Sequence, residues 1–265
     1  MNFDVVICTL NSAATIERCI SGILKFVSTE RIIVVDGGSS DGTLEILRNF
    51  PMVELHIRPD LNLGNSRKFA FELVKTEWFL QIDSDIILKK SLEESFERHH
   101  TKSDVIEFGT NNFYSFQTPT IRELESGAYE KRAFFFTNLI KKSSISAYDL
   151  DVRHMEEELM RRYMISDGKV WTKTGEIVSD HFSSPMRYEG REIALILRVK
   201  PYPRWVYYDM GKIDRLSRIS LRGVLRSVLQ VISYSLNLSG IMRVFLSLSN
   251  PIVNLYFYIA GYIKR

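Results

Sequence analysis

The feature that most constrains this chain is a repeated alternation within residues 3–88. A short apolar run rich in β-branched residues gives way to a polar or glycine-bearing turn and then to an amphipathic stretch. The runs at 3–9, 31–36, 52–57 and 78–82 read as strands, because Val- and Ile-rich segments of this length suit a buried pleated surface. Residues 15–27, 43–50 and 65–75 read as helices. Asn11-Ser12 stands where it can cap the first helix, and Ser40 or Asp41 where either can cap the second. Glycines in the turn Gly37-Gly38-Ser39-Ser40-Asp41-Gly42 permit positive φ. The order β-α-β-α-β-α-β predicts an α/β fold with a Rossmann-like, mostly parallel sheet and flanking helices. Ligands of such sheets bind beyond the carboxyl ends of the strands. That edge gathers Thr9, Leu10 and Asn11, then Asp36, then Arg58 and Asp60, then Asp83 and Asp85.

Several classes are excluded at this point. No G-x-G-x-x-G and no G-x-x-x-x-G-K-[ST] is present, so dinucleotide and P-loop readings fail. Cys8 and Cys19 are the only cysteines. They fall in a predicted strand and the helix after it, without histidines at ligand spacing, and are expected as reduced core residues rather than a zinc site. The amino terminus lacks a basic region followed by a long apolar run, so no cleaved signal peptide is expected and this end should start in the cytosol.

Three segments carry a family resemblance. Val34-Val35-Asp36-Gly37-Gly38-Ser39-Ser40-Asp41-Gly42-Thr43 resembles the V-D-D-G-S-x-D-G-T segment of family 2 glycosyltransferases with the GT-A fold. Asn62-Leu63-Gly64-Asn65-Ser66-Arg67 resembles their N-x-G-x-x-x-A/R stretch, and Ile82-Asp83-Ser84-Asp85 their D-x-D metal motif. Gly37 departs from the pattern, since the family usually has a second Asp there. The resemblance implies a nucleotide-diphosphate sugar donor held by Thr9, Leu10, Asn11, Asp36, Asp60, Arg67 and Asp83. It assigns Asp83 to the ribose region and Asp85 to Mg²⁺ or Mn²⁺, a cation suited to neutralising a leaving diphosphate. In a continuing strand both carboxylates would lie on one side. Arg67 is expected to pair with the diphosphate or to hold Asp85; Asp36 is expected to accept from the nucleotide or to cap the turn that follows it.

The second half must supply a base. Met155-Glu156-Glu157-Glu158-Leu159-Met160-Arg161-Arg162 resembles the family's E-D-x-E-L-x-x-R at a helix start, which places Glu156 on the catalytic position. Glu157 and Asp151 are alternatives, and a helix amino terminus attracts glutamates in any case. Val178-Ser179-Asp180-His181-Phe182 resembles a late strand ending in a histidine near the metal, which makes His181 a second candidate ligand. Arg204-Trp205 matches the end of the Q-x-x-R-W motif of cellulose-synthase-like enzymes and suggests an acceptor contact, although a Trp at a membrane interface accounts for it equally.

Charge is divided unevenly. Residues 198–265 hold 11 Lys/Arg against 2 Asp/Glu, whereas residues 1–197 hold 24 against 30. A basic, apolar tail behind an acidic domain suits an anionic membrane surface rather than nucleic acid. Arg215, Arg218, Arg222 and Arg226 fall on one face of a predicted amphipathic helix over 213–229. Uncharged runs at 227–242 and 244–263 suggest a transmembrane hairpin with both ends cytosolic, through which two copies can pair. The expected division is a GT-A catalytic domain over 1–200 and an interface helix with membrane hairpin over 201–265. As a whole the chain resembles the dolichyl-phosphate-mannose synthase and minimal cellulose-synthase-like branch, including archaeal N-glycan mannosyltransferases. That likeness implies transfer of mannose from GDP-mannose, or of glucose or N-acetylglucosamine from a UDP-sugar, to a polyprenyl (dolichyl) phosphate or lipid-linked glycan at the cell membrane, with the catalytic domain cytoplasmic. A non-catalytic membrane scaffold is the alternative.

Overall fold

The computed structural model describes residues 2–111, 136–145, 148–152, 156–182 and 250–263, together with Tyr208 and Lys212. The chain divides into two compact units, residues 1–151 with 160–183, and residues 152–159 with 184–265.

The first unit is built on one mixed sheet. Its front follows the expected alternation: β1 (Asp4–Thr9), α1 (Ile16–Phe26), β2 (Ile32–Asp36), α2 (Thr43–Arg48), β3 (Val53–Ile57), α3 (Leu63–Leu73) and β4 (Trp78–Ile82). Then come β5 (Ile86–Leu88), α4 (Glu93–His99), β6 (Val105–Asn111), β7 (Thr137–Lys141) and β8 (Trp171–His181), while α5 (Glu156–Ser166) has its residues up to Leu159 in the second unit and the rest in the first. The sheet runs β3-β2-β1-β4-β7-β6-β8-β5. Strands β1 to β4 are mutually parallel, as a chain that returns through helices requires, while β7 is antiparallel to both its neighbours.

One face of the sheet is the main apolar core. Val5, Ile7, Ile32, Val34, Leu80 and Ile106 meet Ile16, Ile20 and Ile23 of α1, and Phe96 of α4 packs edge-on against Phe3 and Trp78. Burying a side chain of this size is worth roughly 1.5–3 kcal/mol, so this face carries much of the stability. Helix α3 lies on the other face, over β1 and β2, with Phe71 against Phe79. It starts earlier than its apolar pattern suggests, because the Asn62 side chain accepts from the Asn65 N–H at 2.9 Å and caps it.

Three other expectations change. The strand-like segments near 169–173 and 178–182 are one strand, β8, irregular against β6 where Gly175 takes φ 68°. β4 stops at Ile82, and a turn in which the Ile86 N–H donates to the Asp83 carbonyl carries the chain to β5. Within the uncharged run at 244–263 the described residues form α6 (Asn250–Ile263), of 14 residues. At about 21 Å, α6 is shorter than a hydrocarbon core of about 30 Å, and among the described residues no helix is long and apolar enough to cross a membrane. The predicted helix over 213–229, the run at 227–242, and Arg204 and Trp205 lie outside the described residues.

Candidate active site

Because β1 to β4 are parallel, their carboxyl ends share one edge, and a dense hydrogen-bond web fixes that edge. Asp36 has no solvent exposure. Its Oδ1 accepts from the Gly38 and Ser39 N–H groups at 2.8 and 2.7 Å, and its Oδ2 from the Ser39 hydroxyl at 2.6 Å. Both oxygens thus organise the turn, the capping role among the two expected for this residue. Gly38 and Gly42 take φ of 92° and 95°, a region costly for residues with a Cβ. Gly37 does not, and a Cβ there would meet Leu10 Cδ1 at 3.5 Å, an ordinary contact. The backbone therefore leaves room for the aspartate that the family usually has.

The loop after β1 locks onto this turn. Asn11, at φ 52°, donates its N–H to Ser39 Oγ at 2.8 Å and accepts from the Ser40 N–H at 2.9 Å. The Ser12 N–H donates to Thr43 Oγ1 at 2.8 Å, and the Ala13 N–H to Asp41 Oδ2 at 3.0 Å. The Thr9 carbonyl receives the Gly37 N–H, while the Leu10 side chain is half exposed at the edge. After β3, Asp60 is gripped in a fork by Arg58, Nε to Oδ1 at 2.9 Å and a second nitrogen to Oδ2 at 2.8 Å. Those bonds hold the Asp60 carboxyl below the usual range.

The Asp83-Ser84-Asp85 turn is tied in from several sides. Arg67, buried on α3, donates to Asp83 Oδ1 at 2.8 Å, and Gln81 Nε2 approaches the same oxygen at 3.3 Å. Ser84 Oγ shares a 2.9 Å hydrogen bond with Ser12 Oγ. Asp85 instead faces β8, with His181 Nε2 at 3.1 Å from its Oδ2, and its carbonyl accepts the Phe182 N–H at 2.7 Å. One expectation is corrected here: of the two carboxylates, Arg67 meets Asp83 rather than Asp85, whose partner is His181. His181 closes β8 beside Asp85. Cys8 and Cys19 are buried thiols outside any disulfide, and burial, with help from Asp85 and Asp83, raises the Cys19 thiol pKa far above its ordinary value. Its Sγ lies 3.5 Å from the Asp83 carbonyl, so it serves as a protonated packing group.

A divalent cation fits the chemistry of the Asp85 and His181 donors. Mg²⁺ and Mn²⁺ are commonly held by one or two protein groups together with substrate phosphates, and imidazole is acceptable to Mn²⁺. Among the described residues no group of three or more His, Cys, Asp or Glu side chains converges on one point.

Glu156 opens α5 and is 1% exposed, while Glu157 is half-buried. Asp151, the other base candidate, accepts from Asn62 Nδ2 at 2.8 Å and Asn65 Nδ2 at 2.9 Å, so its Oδ1 is committed to anchoring the start of α3. Residues that the motif reading passed over are Ser12, Ser39 and Ser84, which stitch the edge together. It also passed over Gln81, Asn138, Glu107 and Lys173, polar side chains inside buried strands. For Gln81 and Glu107 the signal was a single polar residue interrupting an apolar run; Asn138 and Lys173 follow threonines and carry no such signal.

A family model described as "Glycosyl transferase family 2" matches residues 4–162. An uncharacterized glycosyltransferase of Rickettsia bellii is 34% identical over 91 residues, covering 34% of this chain and 30% of that protein. The lipopolysaccharide core biosynthesis glycosyltransferase LpsC of Rhizobium meliloti is 30% identical over 105 residues, covering 38% of this chain and 37% of that protein. The chain therefore spans about a third of the length of these curated relatives. Among solved structures, S. aureus TarS 1–349 in complex with UDP-GlcNAc aligns at TM-score 0.56 and 13% identity, covering 99% of this chain and 90% of that one. Mycobacterium tuberculosis glucosyl-3-phosphoglycerate synthase, in complex with Mn²⁺, UDP and glucosyl-3-phosphoglycerate, aligns at TM-score 0.54 and 17% identity, covering 74% and 79%. These structural likenesses show a shared GT-A-like fold.

Proposed function

The chain belongs to glycosyltransferase family 2, and from that membership we propose that it moves a hexose, with inversion, from a nucleoside diphosphate to a hydroxyl or phosphate of a lipid-linked acceptor. The observation that carries the reading is the parallel-strand edge, where the Asp36 turn, the Arg67-held Asp83 and the His181-paired Asp85 stand together. The turn fixed by Asp36 and Asn11 offers a rigid surface for the nucleotide, and preorganised hydrogen bonds lower the cost of ordering on binding. Arg67 keeps Asp83 in place for the ribose. Asp85 and His181 would hold Mg²⁺ or Mn²⁺, which supplies positive charge to the departing diphosphate. Glu156, or Glu157 beside it, takes the proton of the attacking acceptor, which bonds to the sugar carbon opposite the leaving group.

A UDP-hexose is the favoured donor, supported by the UDP and UDP-GlcNAc held by the two structural neighbours. GDP-mannose, which the resemblance to membrane mannosyltransferases implies, is the second reading. A lipid-linked acceptor is supported by the lipopolysaccharide core role of the Rhizobium relative and by the basic, apolar tail. That tail, with Arg204 and Trp205 entering from sequence alone, would seat the enzyme on the cytosolic membrane face and pair two copies.

The test is a donor screen on full-length protein in detergent with Mn²⁺ or Mg²⁺ and a lipid extract as acceptor. Release of one nucleoside diphosphate is expected, and Glu156→Gln should lower turnover about 100-fold or more while keeping donor affinity. No release from any UDP- or GDP-sugar would remove the proposal. Equal loss of binding and turnover in Glu156→Gln would make that residue structural.

A further inference from the structure

We propose that Gln81 and Asn138 read hydroxyl groups of the donor's sugar ring and so set donor specificity; the inference rests on the transferase reading above. Four neighbouring strands place polar side chains at one register of the sheet. Gln81 on β4 pairs with Asn138 on β7, Asn138 with Glu107 on β6, and Glu107 with Lys173 on β8. Side chains two residues apart on a strand share a face, and Gln81 Nε2 does reach Asp83 Oδ1 at 3.3 Å. The row therefore lies directly behind the first carboxylate of the motif.

The two ends of this row differ. At its β6–β8 end the groups satisfy one another: Lys173 Nζ stands 3.2 Å from Glu107 Oε1, and Trp171 Nε1 donates to Glu107 Oε2 at 2.7 Å. At its β4–β7 end they do not. Gln81 and Asn138 have no solvent exposure, yet among the described residues Gln81 Oε1 and both amide atoms of Asn138 have no hydrogen-bond partner. Buried amides without partners cost free energy, and their strand neighbours on the same face, Val6, Phe79 and Ile140, are apolar. A leucine or methionine would fill such positions at no polar cost. Two carbonyl acceptors and an NH₂ donor side by side, adjoining Asp83, match adjacent ring hydroxyls, each of which both donates and accepts. Because the pair is shielded from bulk water, a sugar that presents the wrong hydroxyl pattern leaves these groups unpaired, which is the circumstance in which a polar site discriminates strongly.

The experiment compares affinities of UDP, UDP-GlcNAc, UDP-glucose, UDP-galactose, GDP and GDP-mannose, measured calorimetrically with Mn²⁺ on full-length protein and on Asn138→Leu and Gln81→Met. Asn138→Ser and Gln81→Glu provide further variants should the apolar ones fail to fold. The expected result is that affinity for the parent nucleoside diphosphate stays within about twofold in Asn138→Leu, while Gln81→Met, which also gives up the contact to Asp83, is compared by its sugar increment alone. The extra affinity contributed by the sugar should fall about fivefold or more, as losing a hydrogen bond predicts, with a changed ranking of donors. Unchanged sugar increments and ranking would overturn the proposal and leave the pair as amides completed by ordered water. An equal loss for nucleotide and nucleotide sugar would also overturn it, making them positioning residues for Asp83. Absence of metal-dependent nucleotide binding in the wild-type chain would instead bring down the transferase reading, and this inference with it.

Discussion

A carboxylate closed off at the end of a strand must find its hydrogen bonds locally, and Asp36 finds three within its own turn. Asp36→Ala would leave the Gly38 and Ser39 N–H groups without their acceptor. It should cost about 1–3 kcal/mol in urea denaturation and weaken nucleotide binding with it; an unchanged midpoint would show that the turn holds itself. At the opposite end of the sheet, Arg31 bridges Glu54 at 2.7 Å and Asp4 at 3.1 Å. The Arg31 hydrogen bond holds the Glu54 carboxyl below its ordinary range. A lowered carboxylate pKa stabilises the fold above the unfolded value of about 4.3, and that contribution is lost as pH falls through the folded value. The melting-temperature gap between wild type and Arg31→Met should therefore be widest near neutrality and narrow below about pH 4. A gap independent of pH would remove Glu54 from the account. At this scale the sequence was only partly legible. The motif acids could be named, but their partners could not, because which carboxylate Arg67 meets depends on β4 ending at Ile82.

The strands and helices of the front were legible almost to the residue, since each apolar run is bounded by Gly, Asn, Asp or Ser with turn or capping chemistry. The back of the sheet was not, because β5 and β7 are short and find their neighbours across long sequence separations. Pairing of Ile86 with His181 brings Asp85 to its histidine, and no local pattern announces it. Helix α1 contributes as well, since Gly22 lies against the β5 backbone. A Cβ there would stand 3.1 Å from the Leu88 nitrogen and 3.3 Å from its oxygen. Neither atom can yield as a side-chain tip would. Gly22→Ala should thus destabilise by about 1–3 kcal/mol in urea unfolding, and should also lower affinity for Mn²⁺ with nucleotide by shifting β5 and hence Asp85. Wild-type stability together with wild-type metal affinity would show that α1 does not position the motif.

At the scale of the molecule, the basic tail lies wholly in the second compact unit, residues 152–159 with 184–265. Helix α6 buries Tyr258 while exposing Tyr256, Ile259 and Ile263, an amphipathic distribution suited to lying along a surface. The full-length chain should sediment with anionic vesicles, be released by salt through screening, and bind neutral vesicles more weakly. Equal binding to both, or to neither, would detach the tail from membrane function. In the sequence the Asn250-Pro251 pair stands out as a break in apolar character, and in the structure it lies within α6. The central claim is that the strand edge ending in Asp85 is a metal-dependent nucleotide-sugar site, and calorimetric titration of UDP and GDP with and without Mn²⁺ tests it most directly. The account predicts that Mn²⁺ raises the affinity of the wild-type chain for one of them at least tenfold, about 1.4 kcal/mol, and that Asp85→Ala abolishes the gain without unfolding the protein. Equal affinity with and without Mn²⁺ in the wild type, or an undiminished gain in Asp85→Ala, would contradict it.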